Sequence, residues 1–442
     1  MEGGKLNSKA FTKIQAVLLV IIILVTMSGG AAYVLLRGPD KPSETIKLGF
    51  VGDLDTPMGS ACVRGIVLAA EQINAQGGVL GMNFEIVTED DDSGSMTGSF
   101  DVSINALRRL ISVDEADFIM SFGGPGLAGI QQEIAFEHKI ILIHGGDPRD
   151  EMSQKVLDDY DRYKYYFKMG SLLNRTTNCK RAVASVVACR ELTGFNKVAV
   201  LMNDLGIGEA IFAPDVAGLR EFGFDVVYAD IMPLTTVDFT SYFVQAEAAG
   251  AEILYPIIFA NGIPFVKEYC TRQSPMVMWG PACTTPAAND AWNLSAGMCE
   301  YVTQNTNPIL IRYRVTSKTM STIEAFEERW GEESNIAAVA AYDFVRFILP
   351  DAINRAGTIE TEAMIAALEE TDIETSRARR FKFTSSHDTL ELDPFLDNPI
   401  EAYWLDIFCQ WQDGVLVPVF PLEIMEELGT TYKFPDWPGP WD

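Results

Sequence analysis

Short apolar runs alternate with amphipathic stretches along most of this chain. Residues 46–51 (IKLGFV) are apolar, rich in strand formers and too short for a globular helix. After a loop with Pro57 and Gly59, apolar side chains recur at Val63, Ile66, Val67, Ala70 and Ile73. Steps of three and four predict an amphipathic helix packed on a sheet. Asn74 and the Gly77-Gly78 pair predict its end, because glycine accepts the left-handed conformation of a C-terminal cap. A second run, 83–88, alternates and leads into Asp90, Asp91 and Asp92. Strand, helix, strand makes a βαβ unit, which the crossover rule renders parallel and right-handed.

The rhythm continues. A helix is expected within 93–113, a strand at 117–122, and a helix opening from the glycine turn of GGPGLAGIQQEIAFEHK. The strand at 140–143 runs into His144-Gly145-Gly146-Asp147-Pro148. A second half repeats the pattern: helices at 176–192, 208–222 and 234–250 alternate with strands at 197–203, 225–231, 253–259 and 276–279. Then come helices at 322–331, 337–357 and 361–368, with Pro350 expected to kink or break the middle one. Segments 381–383, 402–411 and 415–419 supply closing strands. Such alternation predicts parallel sheets wrapped by helices, with any binding site outside the carboxyl ends of the strands. A chain of 442 residues is too long for one core, so two domains are expected.

The first forty-five residues stand apart. Lys5, Lys9 and Lys13 precede an uncharged run at 14–36 that Arg37 closes. This run exceeds the roughly 18–20 apolar residues needed to span a bilayer. The lysines place the short N-terminal end in the cytoplasm. The expectation is an uncleaved single-pass anchor in the cell membrane, with the rest extracytoplasmic. A cleaved signal peptide is the alternative, and Ser28-Gly29-Gly30-Ala31-Ala32 could supply its cleavage site.

Charge and chemistry narrow the function classes. Lys+Arg 34 against Asp+Glu 61 gives a net charge of −27, which argues against nucleic acid and against docking on anionic lipid. Seven cysteines suggest no disulfide framework. Cys179 and Cys189 share one helical pattern about 15 Å apart, too far to bridge. His138, His144 and His387 lack metal-ligand spacing, and there is no GxSxG elbow or Walker loop. Neither a catalytic group, a metal nor a cofactor is expected. Asp53 and Asp55 with the three aspartates at 90–92 suggest a cation site, or simply an acidic strand end. Asn174 and Asn293 begin glycosylation sequons.

Gly124-x-Gly126-x-x-Gly129 fits GxGxxG, with Asp147 downstream where a ribose-binding acid would stand. Here the motif follows the third strand rather than the first. The same turn could instead hold an anion on free N–H groups at a helix start, or be a plain tight turn.

The words IKLGFVGDL, LAAEQINAQGGVLG with Gly65 ahead of it, and FEIVTEDD carry a resemblance. So do LTTVDFTSYFVQAEAAG, TIEAFEERWG and AAVAAYDFVRFILPDAINRAG. They resemble the type I periplasmic binding proteins, the branched-chain amino-acid (leucine/isoleucine/valine) binding family of ABC importers, over about 46–420. The resemblance implies an α/β fold of two doubly wound parallel-sheet lobes joined by a multi-strand hinge, beyond the N-terminal transmembrane helix. Together with the N-terminal charge and hydropathy pattern, it divides the chain into a cytoplasmic tail (1–13), anchor (14–36), linker (37–45), first lobe (46–168), second lobe (169–302), a return to the first lobe (303–385), and closing strands with a tail (386–442).

The implied ligand contacts fall on Met58, on Gly124, Pro125 and Gly126, on Gly146 and Asp147, on Leu205 and Ile207, and on Phe259 and Asn261. Met58 stands where the family has an aromatic ring, and Ile207 where it has a tyrosine. Pro125 has no N–H to give, and the family's ammonium-binding carboxylate falls near Asn261 or Gly262. Asp147 either takes a ligand cation or amide N–H, or caps the turn ahead of Pro148. The implied function is a membrane-tethered solute-binding protein passing a small polar ligand to ABC permease subunits. The alternative is a receptor ectodomain of the same fold serving a separate signalling subunit.

Overall fold

Strand β1 (Ile46–Gly52) buries Ile46, Leu48, Phe50 and Val51 completely, because both faces of its sheet are covered by helices. The computed structural model describes residues 45–92, 100–122, 127–145, 151–169, 175–204, 208–258, 260–283, 290–389 and 405–441, with backbone alone at 175–182 and 208–211. β1 pairs in parallel with β2 (Phe84–Asp90) and with β3 (Phe118–Phe122). β4 (Ile141–His144) and β5 (Tyr166–Lys168) complete a five-stranded parallel sheet in the order β2-β1-β3-β4-β5.

The first crossover is helix Pro57–Ala75. Thr56 caps it by accepting from the Gly59 N–H, and Pro57 takes the first turn, where a missing N–H costs nothing. At its far end Asn74 exchanges two hydrogen bonds with the Phe84 backbone (2.7 and 2.8 Å), tying the helix to the next strand. Gly77 and Gly78 follow with φ of 95° and 77°, a conformation suited to glycine. Gly65 faces helix Ile336–Asp343 from the far end of the chain, so segments either side of the second sheet share one core.

The second sheet holds β6 (Lys197–Asn203), β7 (Asp225–Met232), β8 (Ile253–Ile257), β9 (Val277–Gly280), β10 (Thr303–Thr306), β13 (Ile407–Gln412) and β14 (Val415–Phe420). Its order is β14-β13-β10-β9-β8-β6-β7, antiparallel only where β13 joins β10 and β14. Thr303–Thr306, expected at the start of the return to the first lobe, is therefore a strand of the second sheet. A small antiparallel pair, β11 (Asp372–Ile373) and β12 (Phe381–Lys382), lies on the returning segment. The chain passes between the two sheets after Met169, after Thr306 and after Thr389.

Two further expectations need correcting. The helix expected over 234–250 forms only at Thr240–Ala248, because 233–236 makes a turn and the Asp238 carboxylate accepts the Thr240 N–H. Pro350 does not break its helix. A π turn at Phe344–Ile348 widens the spiral just ahead of it, and Pro350 then sits in the first turn of Leu349–Ala356. A wider turn relieves the clash a proline ring makes with the preceding carbonyls. Asp343, at the entry to that turn, is fully buried and accepts from Ser376 N, Ser376 Oγ and Arg377 N. Burial nonetheless holds its carboxyl above the ordinary range.

The C-terminal segment lies on the second lobe. Gln410 donates to Lys433 O (2.8 Å) and Gln412 to Thr431 O (2.7 Å), so two amide side chains grip the tail backbone. Trp437 is buried beside Tyr269 and Tyr301, and its Nε1 donates to Ser274 O at 2.9 Å. Residues 14–36 lie outside the described residues, and among those no helix is long and apolar enough to cross a membrane.

Candidate ligand-binding site

In sequence, all the expected contacts except Met58 come within four residues of the carboxyl ends of parallel strands. Residues 123–126 follow β3, 146–150 follow β4, 205–207 come one residue after β6, and Asn261 follows β8. This is where open α/β sheets hold ligands. Gly124, Pro125, Gly126, Gly146, Asp147, Leu205, Ile207 and Phe259 lie outside the described residues. Met58 and Asn261 lie within them.

Met58 is in the first turn of helix Pro57–Ala75, half-buried and packed against the first-lobe core. Asn261 adopts a left-handed conformation (φ 58°) at the head of helix Gly262–Arg272. Its Nδ2 donates to Thr236 O (2.9 Å) and lies 3.4 Å from Leu234 O, so the amide is bound to the β7–α loop. Asn203 was not singled out from sequence. Fully buried at the end of β6, it accepts the Ala260 N–H at 3.0 Å and so fixes the backbone entering Asn261. The only sequence signal was a polar residue ending the apolar word KVAVLMN.

The acidic strand ends are occupied by backbone capping. Asp53 Oδ1 accepts from Asp55 N (3.0 Å) and Thr56 N (3.2 Å). Asp90 Oδ1 accepts from Leu54 N and Asp92 N, and buried Asp91 accepts from Ser103 Oγ. Among the described residues no group of three or more His, Cys, Asp or Glu could hold a metal ion.

The flanks of the first-lobe segments are tied down. Ser121 Oγ, at the end of β3, donates to Gln131 Oε1 (2.9 Å) beyond 123–126. Gly145 N donates to Ser121 O, and Met169 N to His144 O, each at 2.8 Å. His144 is fully buried. His387 is also buried, stacked on Phe167 with centroids 4.0 Å apart. Its Nδ1 meets Tyr166 O (3.0 Å) and its Nε2 meets Glu369 Oε1 (2.8 Å). Burial holds this imidazole below its usual range, against the pull of Glu369.

One parallel and one mainly parallel sheet, a chain that crosses between them three times, and glycine-rich segments after the strands define a periplasmic-binding-protein fold. The periplasmic binding protein family model matches residues 45–391, and the chain belongs to that family, with the type I fold. It is 24% identical over 399 residues to the Leu/Ile/Val-binding protein homolog 7 of Brucella suis, covering 88% of this chain and 94% of the relative. A Silicibacter pomeroyi structure described as a branched-chain amino acid ABC transporter superposes with a TM-score of 0.74 at 19% identity, over 90% of this chain and 100% of that one. The branched-chain amino acid transporter substrate binding protein of Streptococcus pneumoniae, solved with isoleucine, gives 0.65 at 18% identity, over 84% of this chain and 98% of that one.

Proposed function

We propose that this chain is the extracytoplasmic solute-binding component of an ABC importer, tethered to the cell membrane through 14–36. It captures a small polar ligand, an amino acid or a related amide or amine, between its two lobes. One observation carries the reading: in both lobes the segments expected to touch ligand directly follow, or lie within a few residues of, the carboxyl ends of parallel strands. In this reading Gly124, Gly126 and Gly146 offer backbone N–H groups to an anionic ligand group, and Asp147 receives its cationic or amide end. Met58, Leu205, Ile207 and Phe259 supply apolar walls, while Asn261 shapes the second-lobe loop. The family relationship supports the class, and the named relatives support the importer.

The test is a thermal-shift and calorimetric screen of the full chain in mild detergent against amino acids, amides, polyamines and sugars. A binder at one hundred times its Kd should add about 2.7 kcal/mol of stability. A panel in which no compound shifts the midpoint or releases heat would sink the proposal.

A further inference from the structure

A buried ion pair sits where the chain leaves the first lobe. Lys168 Nζ and Asp388 Oδ2 are 2.8 Å apart, with side chains 0% and 6% exposed. Lys168 ends β5, one residue before the first passage to the second sheet. Asp388 stands one residue before Thr389 and the third passage. The two residues are partners in a parallel bridge, and Lys168 N donates to His387 O at 2.8 Å. The end of β5 and the segment reaching Thr389 thus lie side by side, in the same direction, pinned by backbone and charge together.

Asp388 reaches the downstream flank of the segment between His144 and Glu151, and Met169, next to Lys168, holds the upstream one. Upstream, Met169 N holds His144 O at 2.8 Å. Downstream, Ser153 Oγ, in helix Glu151–Asp158, donates to Asp388 Oδ2 at 3.0 Å. Asp388 Oδ1 also accepts the Thr389 N–H at 3.1 Å, so both carboxylate oxygens are engaged. Removing two charges from water costs several kcal/mol, and an apolar pair of similar volume often matches such a bridge in stability. Stability alone is therefore a poor account of these residues. Charge and direction add what an apolar contact lacks, a fixed register.

We infer that Lys168 and Asp388 are positioning residues for ligand capture. They lock in register the two segments that end at Met169 and Thr389, ahead of two of the three passages, and hold the downstream flank of the segment carrying Gly146 and Asp147, without touching ligand. The inference rests on the solute-binding reading, but its test reads the hinge without ligand. Val113 in the first lobe and Val237 in the second are 72% and 67% exposed, so Val113→Cys and Val237→Cys accept spin labels. Pulsed electron resonance on the full chain then gives the spread of interlobe distances.

The parent should show a narrow distribution. Asp388→Asn and the double variant Lys168→Met/Asp388→Leu should each broaden it about twofold or more. The double variant replaces charge by apolar volume, so it covers the case in which a single variant fails to fold. Leu254→Ala, a core change in the second-lobe sheet, should lower the melting midpoint without broadening the distances. Unchanged widths in folded variants, or a parent as broad as they are, would overturn the inference. Failure of the ligand screen would overturn the solute-binding reading and leave these widths as they are.

Discussion

Gly65 lies so close to Ala338 that a methyl group at position 65 would sit 2.1 Å from the Ala338 carbonyl oxygen and 2.9 Å from its carbon. The obstacle is backbone, so it cannot rotate aside. Gly65→Ala should force helices Pro57–Ala75 and Ile336–Asp343 apart and cost about 1–3 kcal/mol, the usual range for overpacking. Urea denaturation monitored by circular dichroism measures this. A midpoint equal to the parent's would show that the helices pack more loosely than described.

Trp437 fills the second-lobe core between Tyr269 and Tyr301 and donates to Ser274 O. Trp437→Ala leaves a cavity and an unpaired carbonyl, with an expected loss of roughly 3–5 kcal/mol. Hydrogen exchange should show the loss in β8 and β9 and leave β1 to β4 protected. Equal loosening of both sheets would refute that localisation.

His387 gives a pH test with a definite sign. Burial sets its folded pKa below the ordinary 6.5, so between the two values the unfolded chain holds more protons than the folded one. Stability from this residue is present above 6.5 and is lost as pH falls through that window. Urea midpoints measured from pH 7 to pH 5 should fall more steeply in the parent than in His387→Gln. Parallel curves would remove His387 from the account.

Burial also governs the thiols. It raises Cys62 and Cys189 to about 12, and both Cys283 and Cys409 well above the ordinary thiol range. The thiolate is the reactive form. Iodoacetamide at pH 8 should leave these four unmodified in the native protein and modify all four in denaturant, as peptide mapping would report. Rapid native labelling of any of them would contradict its described burial.

Much of the fold was legible because apolar periodicity and burial coincide. β6 occupies the run expected for it, 197–203, since nearly every residue there is buried between two helical layers. β10 was illegible for the opposite reason. Its residues, Thr303, Gln304, Asn305 and Thr306, are polar, yet three of the four are buried between β9 and β13. No periodicity marks such a strand. Its burial depends on partners such as Cys283, whose Sγ lies 3.6 Å from Thr303 O, and Gln410, opposite it in β13. At the candidate site, word likeness points to segments that follow the strands, whereas the part played by Asn203 depends on Ala260, a residue brought near only by the fold.

Neither lobe is continuous in sequence. Tyr342 donates to Gln72 across 270 positions, and the second sheet is incomplete until β13 and β14 have been made. A ribosome would therefore extrude nearly the whole polypeptide before either core could be sealed. Contacts so distant along the chain slow folding and prolong the exposure of apolar surface. The nascent protein would depend on chaperones until its last strands emerge.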